Sequence, residues 1–119
     1  KCIITVKHNW FNSNPFKSLY WAVQGMASEL ATGLAIIDFA NKNSLNISML
    51  VVSNESRFLK KAKGKIRFEC DEVSKIKKTL SSLSKNKTTD KIKLKSIGYD
   101  ESGDVVSEFI YEWSFKLKS

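Results

Sequence analysis

Between Tyr20 and Ile37 the chain runs eighteen residues, Tyr-Trp-Ala-Val-Gln-Gly-Met-Ala-Ser-Glu-Leu-Ala-Thr-Gly-Leu-Ala-Ile-Ile, with a single charged side chain, Glu29. This run reads as one helix that is apolar on nearly every face, and such a helix belongs either deep in a protein or in a membrane. Its length borders on a membrane span. Gln24 and Glu29 near its middle oppose a place in lipid, and the rest of the chain reads as water-soluble sheet. The small residues Ala22, Gly25, Ala27, Ser28, Ala31, Gly33 and Ala35 suit close packing against a sheet or a second helix. A carboxylate is almost never buried without a partner, and an unpaired one is costly. Glu29 is therefore the first candidate for a catalytic group. The alternative is a carboxylate paired across an interface with Lys, Arg or a hydroxyl.

The flanking segments build a sheet around this helix. Cys2–Val6 is β-branched and reads as a strand. Asn14-Pro15 marks the helix entry, with Asn14 or Ser18 available to cap the free amides. The helix runs to about Phe39–Lys42, where Asn41-Lys-Asn-Ser44 stops it. Ile47–Val52 reads as a strand that Arg57–Leu59 continues past a bend at Ser53-Asn54, and Gly64 turns the chain. Lys65–Cys70 alternates, with Ile66, Phe68 and Cys70 on one face. Asp71 is placed to cap a short helix whose Val73, Ile76, Leu80 and Leu83 recur at helical spacing. Lys91–Lys95 alternates again, Asp100–Asp104 is a turn, and Val105–Leu117 is a long strand. Its Phe109, Tyr111, Trp113, Phe115 and Leu117 share one face, a pattern of core rather than of a base-stacking platform. This is not the regular alternation of a doubly wound fold. An α+β architecture, one curved antiparallel sheet wrapped around one long helix with a short surface helix, solves the burial problem. Without repeats or a linker, residues 1–119 read as one domain.

Charge narrows the partners. The formal net charge is +8, and Arg57 to Lys95 holds fourteen Lys and Arg against four acids. Such a stretch suits an anionic partner, either nucleic acid or a phosphorylated small molecule such as coenzyme A, or it is a solvated face. No nucleic-acid motif accompanies it. Cys2 and Cys70 are the only cysteines. They mark no disulfide framework and no zinc pattern, and read as two free thiols of a reducing cytoplasm. No Gly-rich phosphate loop or metal motif is present. The lone histidine, His8, has no nucleophile at a telling distance for a Ser-His-Asp or Cys-His set.

The segment Asn14-Pro-Phe-Lys-Ser-Leu-Tyr-Trp-Ala-Val-Gln-Gly-Met-Ala-Ser-Glu-Leu-Ala-Thr-Gly33 resembles the central-helix signature of hot-dog-fold thioesterases, and more closely the thioesterase-like branch of that superfamily whose function is unknown. The strand order agrees along most of the chain. The resemblance implies a bacterial, cytoplasmic homodimer, with dimers paired into tetramers left open, and with active sites at the subunit interface. It implies hydrolysis of acyl-coenzyme A or acyl-carrier-protein thioesters, with no cofactor beyond the coenzyme A moiety of the substrate, no nucleic acid and no membrane.

By the same resemblance the family's helix carboxylate falls on Glu29, as general base or nucleophile. Its oxyanion donor, a backbone amide near the helix start, falls on Trp21, and its loop Asn or Gln on Asn14. Ser28 and Thr32 neighbour Glu29 and are candidates to hold the carboxylate or a water. Arg57, Lys60, Lys61 and Lys63 are candidates for the coenzyme A phosphates through charge-assisted hydrogen bonds. Where family enzymes often carry His-Gly-Gly, this chain has Tyr20-Trp21-Ala22. Those glycines let a thioester approach the backbone closely, so their absence favours the rival expectation, a non-catalytic hot-dog protein that binds an acyl or coenzyme A ligand.

Overall fold

The computed structural model describes residues 1–9 and 20–118. The helix entry expected at Asn14-Pro15 lies outside them. The elements in chain order are β1 (Cys2–Lys7), α1 (Trp21–Lys42), β2 (Ile47–Phe58), β3 (Lys65–Cys70), α2 (Val73–Ser81), β4 (Thr89–Tyr99) and β5 (Val105–Leu117). The strands form one antiparallel sheet in the order β1-β3-β4-β5-β2. The two longest ladders join β5 to β2 and to β4, and β1 and β2 are the two edges. Alternation sends Ile66, Phe68 and Cys70 from β3, Ile92 and Leu94 from β4, and Phe109, Tyr111, Trp113 and Phe115 from β5 to the inner face. There α1 lies across them with Ala27, Ala31 and Ile36 in the shared core, and Ala40 is buried near the helix end. Leu117, expected with the β5 core, is only half-buried at the strand end.

Close approach of helix to sheet rests on Gly33. A Cβ at that position would stand 3.1 Å from Trp113 Cζ2, tighter than ordinary contact, so the missing side chain lets the helix settle on the indole. Gly64 takes φ +73°, the left-handed region a turn into β3 demands. α2 packs Ile76 and Leu80 inward.

The second strand continues past Ser53-Asn54 as expected, a β-bulge between Val51 and Ser53 absorbing the irregularity, and pairing runs to Phe58. Two expectations are corrected. β4 extends well beyond Lys91–Lys95 in both directions. Asp71 does not cap α2. Glu72 takes the N-cap position without a side-chain cap bond, and its carboxylate instead accepts the Lys95 amide at 2.7 Å.

The largest correction concerns α1. A single five-stranded sheet covers one side of a helix, so α1 is not buried all round. Trp21, Met26, Leu30, Leu34 and Ile37 are exposed, Met26 to 62% and Trp21 to 59%. Glu29 lies among them and is also exposed within the chain.

Candidate functional site

The two faces of α1 separate the candidate residues. On the sheet side Ser28 and Thr32 are fully buried. Ser28 Oγ stands 2.6 Å from Tyr111 Oη, and each hydroxyl is 2.9 Å from the Gly25 carbonyl oxygen. Two hydroxyl protons serve these three contacts, so one hydroxyl donates to the carbonyl while the other donates to its neighbour. Burial raises the Tyr111 hydroxyl above its ordinary value; the Ser28 hydrogen bond opposes the rise and the charge of Glu29 adds to it. One turn on, Thr32 Oγ1 donates to the Glu29 backbone carbonyl at 2.8 Å and accepts the Trp113 indole N–H at 2.9 Å. Ser28 and Thr32 are thus engaged with the backbone of the turn that carries Glu29 and with β5; their hydroxyls are not bonded to the Glu29 carboxylate.

Tyr111 and Trp113 are the site-supporting residues that the sequence reading assigned only to the core. Their ring positions follow from strand alternation. The signal for the second role was the buried polar tip that each ring carries, which needs a partner. Tyr111 lies against the Gly25 carbonyl directly, whereas Trp113 acts on the Glu29 carbonyl, four residues on, only through the Thr32 hydroxyl that accepts its indole N–H.

On the outer side Glu29 stands beside Met26 and Leu30, with Trp21 two turns before it. The helix begins at Trp21, after Tyr20 as N-cap with no side-chain cap bond. The amides of Val23 and Gln24 close onto the Tyr20 carbonyl at 3.0 and 3.2 Å. The amides of Trp21 and Ala22 precede the first intrahelical bonds, where donors are available to an anion. The exposed Trp21 ring lies 6.0 Å from that of Tyr20. Asn14 falls outside the described residues.

Eight residues separate Trp21 from Glu29, which at 1.5 Å per residue is about 12 Å along the axis. Both are exposed, but one helix does not bring a base and that amide to the same atom.

The basic residues gather at one end of the sheet. Gly25 lies at Tyr111 and Gly33 at Trp113, so the start of α1 is directed toward the Phe109 end of β5, and Arg57 pairs opposite Glu108 there. Arg57, Lys61 and Lys63 are exposed. Lys60 is committed differently: its Nζ lies 2.6 Å from Asp100 Oδ2 and 2.7 Å from Asp104 Oδ2. Those hydrogen bonds raise Lys60 above its ordinary value, and the bond from Lys60 holds Asp100 below the ordinary carboxylate value. A cavity of about 590 Å³ opens elsewhere, between Cys2, Leu34, Ile37, Asp38, Val73 and Ile76, and does not include Glu29.

Among the described residues no group of three or more His, Cys, Asp or Glu could hold a metal ion. No described helix is long and apolar enough to cross a membrane.

No family model matches the sequence, and no curated protein matches it. Solved structures do. A protein of unknown function from Pseudomonas aeruginosa, described as a probable thioesterase, superposes with a TM-score of 0.80 at 22% identity, over 98% of this chain and 76% of its own. A Bacillus halodurans protein solved with CoA superposes at 0.68 and 12% identity, over 97% of this chain and 67% of its own. A Staphylococcus aureus protein was solved in two altered forms. One, with a glutamate changed to alanine, superposes at 0.68 and 12% identity over 98% of this chain and 85% of its own. The other, called a thioesterase enzyme and with a glutamine changed to alanine, superposes at 0.67 and 12% identity over 96% and 84%. The superpositions run over nearly the whole described chain, and its five-stranded antiparallel sheet with one long helix is the hot-dog fold.

Proposed function

We propose that this chain is a thioester hydrolase acting on acyl-coenzyme A or acyl-carrier-protein substrates, with Glu29 as general base or nucleophile and the helix-start amides, Trp21 first, as oxyanion donors. The observation that carries the reading is the position of Glu29. It stands beside Met26 and Leu30 on a helix face that no other part of the described chain covers, and unlike Asp38, the other exposed carboxylate of α1, which pairs with Lys42 at 3.0 Å, it has no ion pair among the described residues. Exposed apolar patches of this kind mark sites of association or ligand binding.

A thioester carbonyl needs its nucleophile and its oxyanion donors within about 3 Å of the reacting atoms. The separation of about 12 Å along one helix is too great for that. A homodimer in which α1 of a second copy runs antiparallel to the first resolves it: Glu29 of one copy meets the helix start of the other. The same pairing covers Met26, Leu30, Leu34 and Ile37.

Two further points support the reading. The glutamate and glutamine altered in the Staphylococcus aureus protein are fifteen residues apart, the separation of Asn14 from Glu29 in this chain. The neighbour from Bacillus halodurans was solved with CoA, and Arg57, Lys61 and Lys63 supply exposed cations for its phosphates at the end toward which the helix start points.

A second reading rests on Trp21. An exposed indole stands at the helix start, where a thioester would have to approach the backbone, and this favours a binding protein without turnover. Thiol release over a panel of acyl-coenzyme A substrates separates the two. Hydrolysis by the wild type that is lost in Glu29→Gln supports the enzyme. Saturable binding with no free thiol supports the binder. Wild-type turnover in Glu29→Gln removes Glu29 from the mechanism.

A further inference from the structure

Cys2 and Cys70 are far apart in sequence and directly opposed in the sheet. Cys2 opens β1, Cys70 ends β3, and the ladder pairs them Cα to Cα. The alternation that places Phe68 and Cys70 on the inner face places Ile4 and Cys2 there too, so both thiols issue from the same side of the sheet. Cys70 is buried; Cys2 is half-buried and lines the cavity of about 590 Å³ beside Asp38 and Phe39.

The spacing suits a covalent link. Opposed residues of an antiparallel pair have Cα atoms about 4.5–5.5 Å apart, inside the range of about 4.4–6.8 Å that disulfides span. Their Cβ atoms lie about 4.5–5.5 Å apart, against about 3.5–4.5 Å in a disulfide. Closure therefore needs a movement on the order of an ångström. Cys2 can supply it, because it is the first residue of an edge strand bonded to the sheet on one side only.

We propose that Cys2 and Cys70 form a thiol–disulfide exchange site that takes a small-molecule disulfide as oxidant and closes a reversible clip between β1 and β3. The Cys2 thiolate attacks one sulfur of the oxidant and expels a first thiolate, giving a mixed disulfide. The Cys70 thiolate then attacks Cys2 Sγ and expels the second. The protein loses two electrons and two protons, the oxidant is reduced to two thiols, and the Cys2–Cys70 bond remains. Cys2 acts first because it reaches the cavity. Burial raises both thiols, Cys70 to about 11, so the thiolates are scarce at neutral pH and exchange is slow. The clip ties down the edge strand, which packs against α1, and constrains the unfolded chain through a long loop.

The test uses the reduced full chain incubated with oxidised glutathione. Both thiols should disappear together to alkylating reagent, the mass should fall by two hydrogens, and non-reducing digestion should join the Cys2 peptide to the Cys70 peptide. Dithiothreitol should reverse this, and the thermal midpoint of the oxidised chain should be higher by several degrees. Cys2→Ser, at the half-buried position, should make the midpoint insensitive to oxidant. Cys70→Ser should do the same, and if that buried change prevents folding, Cys2→Ser decides alone. A persistent glutathione adduct on Cys2, cross-links only between chains, thiols that stay alkylatable, or a midpoint that still rises in Cys2→Ser would each overturn the assignment.

Discussion

The two faces of α1 are built from similar residues and serve opposite ends. The inner face is completed by the chain itself: Ala27, Ala31 and Ile36 meet β3, β4 and β5, and each hydroxyl on it has a partner. The outer face carries larger apolar side chains, yet nothing among the described residues covers it. An inner face that is satisfied specifies the fold. An outer face that is apolar and unsatisfied, and that holds the helix's one mid-length carboxylate, specifies an encounter with something outside the chain. Substitutions on the two faces should therefore separate stability from activity.

The largest effect should come from the outer face. Glu29→Ala should lower thiol release by about a hundredfold to ten-thousandfold, the range general acid–base groups command. Its thermal midpoint should stay within a few degrees of wild type, because that side chain packs on no part of its own chain's core. Parallel loss of activity and midpoint would break the division between the faces. Next, Leu30→Lys combined with Leu34→Lys should place like charges on the surface proposed to pair. Sedimentation should then show half the wild-type mass and thiol release should fall at least tenfold, with the far-ultraviolet circular dichroism retained. Wild-type mass in this variant would move the interface elsewhere.

On the inner face, Thr32→Val keeps the shape but removes the acceptor of the Trp113 N–H and the donor to the Glu29 carbonyl. Leaving the buried indole N–H unmatched should cost about 1–3 kcal/mol, read as a lower denaturation midpoint in urea. Release by the folded fraction should change far less than in Glu29→Ala. A smaller and sharper measurement joins the faces of two copies. Asn14→Ala and Glu29→Ala, each nearly inactive alone, should regain about a quarter of wild-type activity when unfolded and refolded together in equal amounts. Half of the symmetric dimers are then mixed, and each mixed dimer has one intact site. No regain would place both residues in one subunit's site.

How much of this was legible in the sequence depends on what each residue's neighbours are. Val105–Leu117 announced its inner face through strict alternation, and the structure keeps Phe109, Tyr111, Trp113 and Phe115 there. The fold followed from one long helix among short alternating runs. The outer face of α1 did not follow, because helical periodicity reports which residues are apolar and is silent on how many sheets are present to cover them. A helix apolar all round looks the same whether its second side meets a sheet or a second copy. The Asp71 cap failed for a related reason: Asp71 and Glu72 are both suitable cap residues, and the choice was made by the Lys95 amide of β4, a contact remote in sequence. Asn14 stands apart, since it lies outside the described residues.

The smallest effect should come from the turn at Asp100, which belongs to neither face and so tests whether Lys60 serves the substrate. Asp100 is held below the ordinary carboxylate value chiefly by its hydrogen bond from Lys60, assisted by the Asp104 and Ser102 amides. A group depressed in the folded state adds stability that is fully present above its unfolded value, about 4, and is lost as pH falls through the lower folded value. The thermal midpoint of the wild type should accordingly exceed that of Asp100→Asn at neutral pH, and the gap should narrow as the solution is acidified below about 4. A gap constant with pH would mean that the ion pair contributes nothing through titration. Thiol release at neutral pH should be unchanged, because Lys60 is already occupied by carboxylates in the folded chain. If Asp100→Asn instead lowers KM for acyl-coenzyme A, the ammonium, left with Asp104 as its one carboxylate partner, has reached the substrate's phosphates. Lys60 then joins Arg57, Lys61 and Lys63 as a cation that the turn at Asp100 holds back.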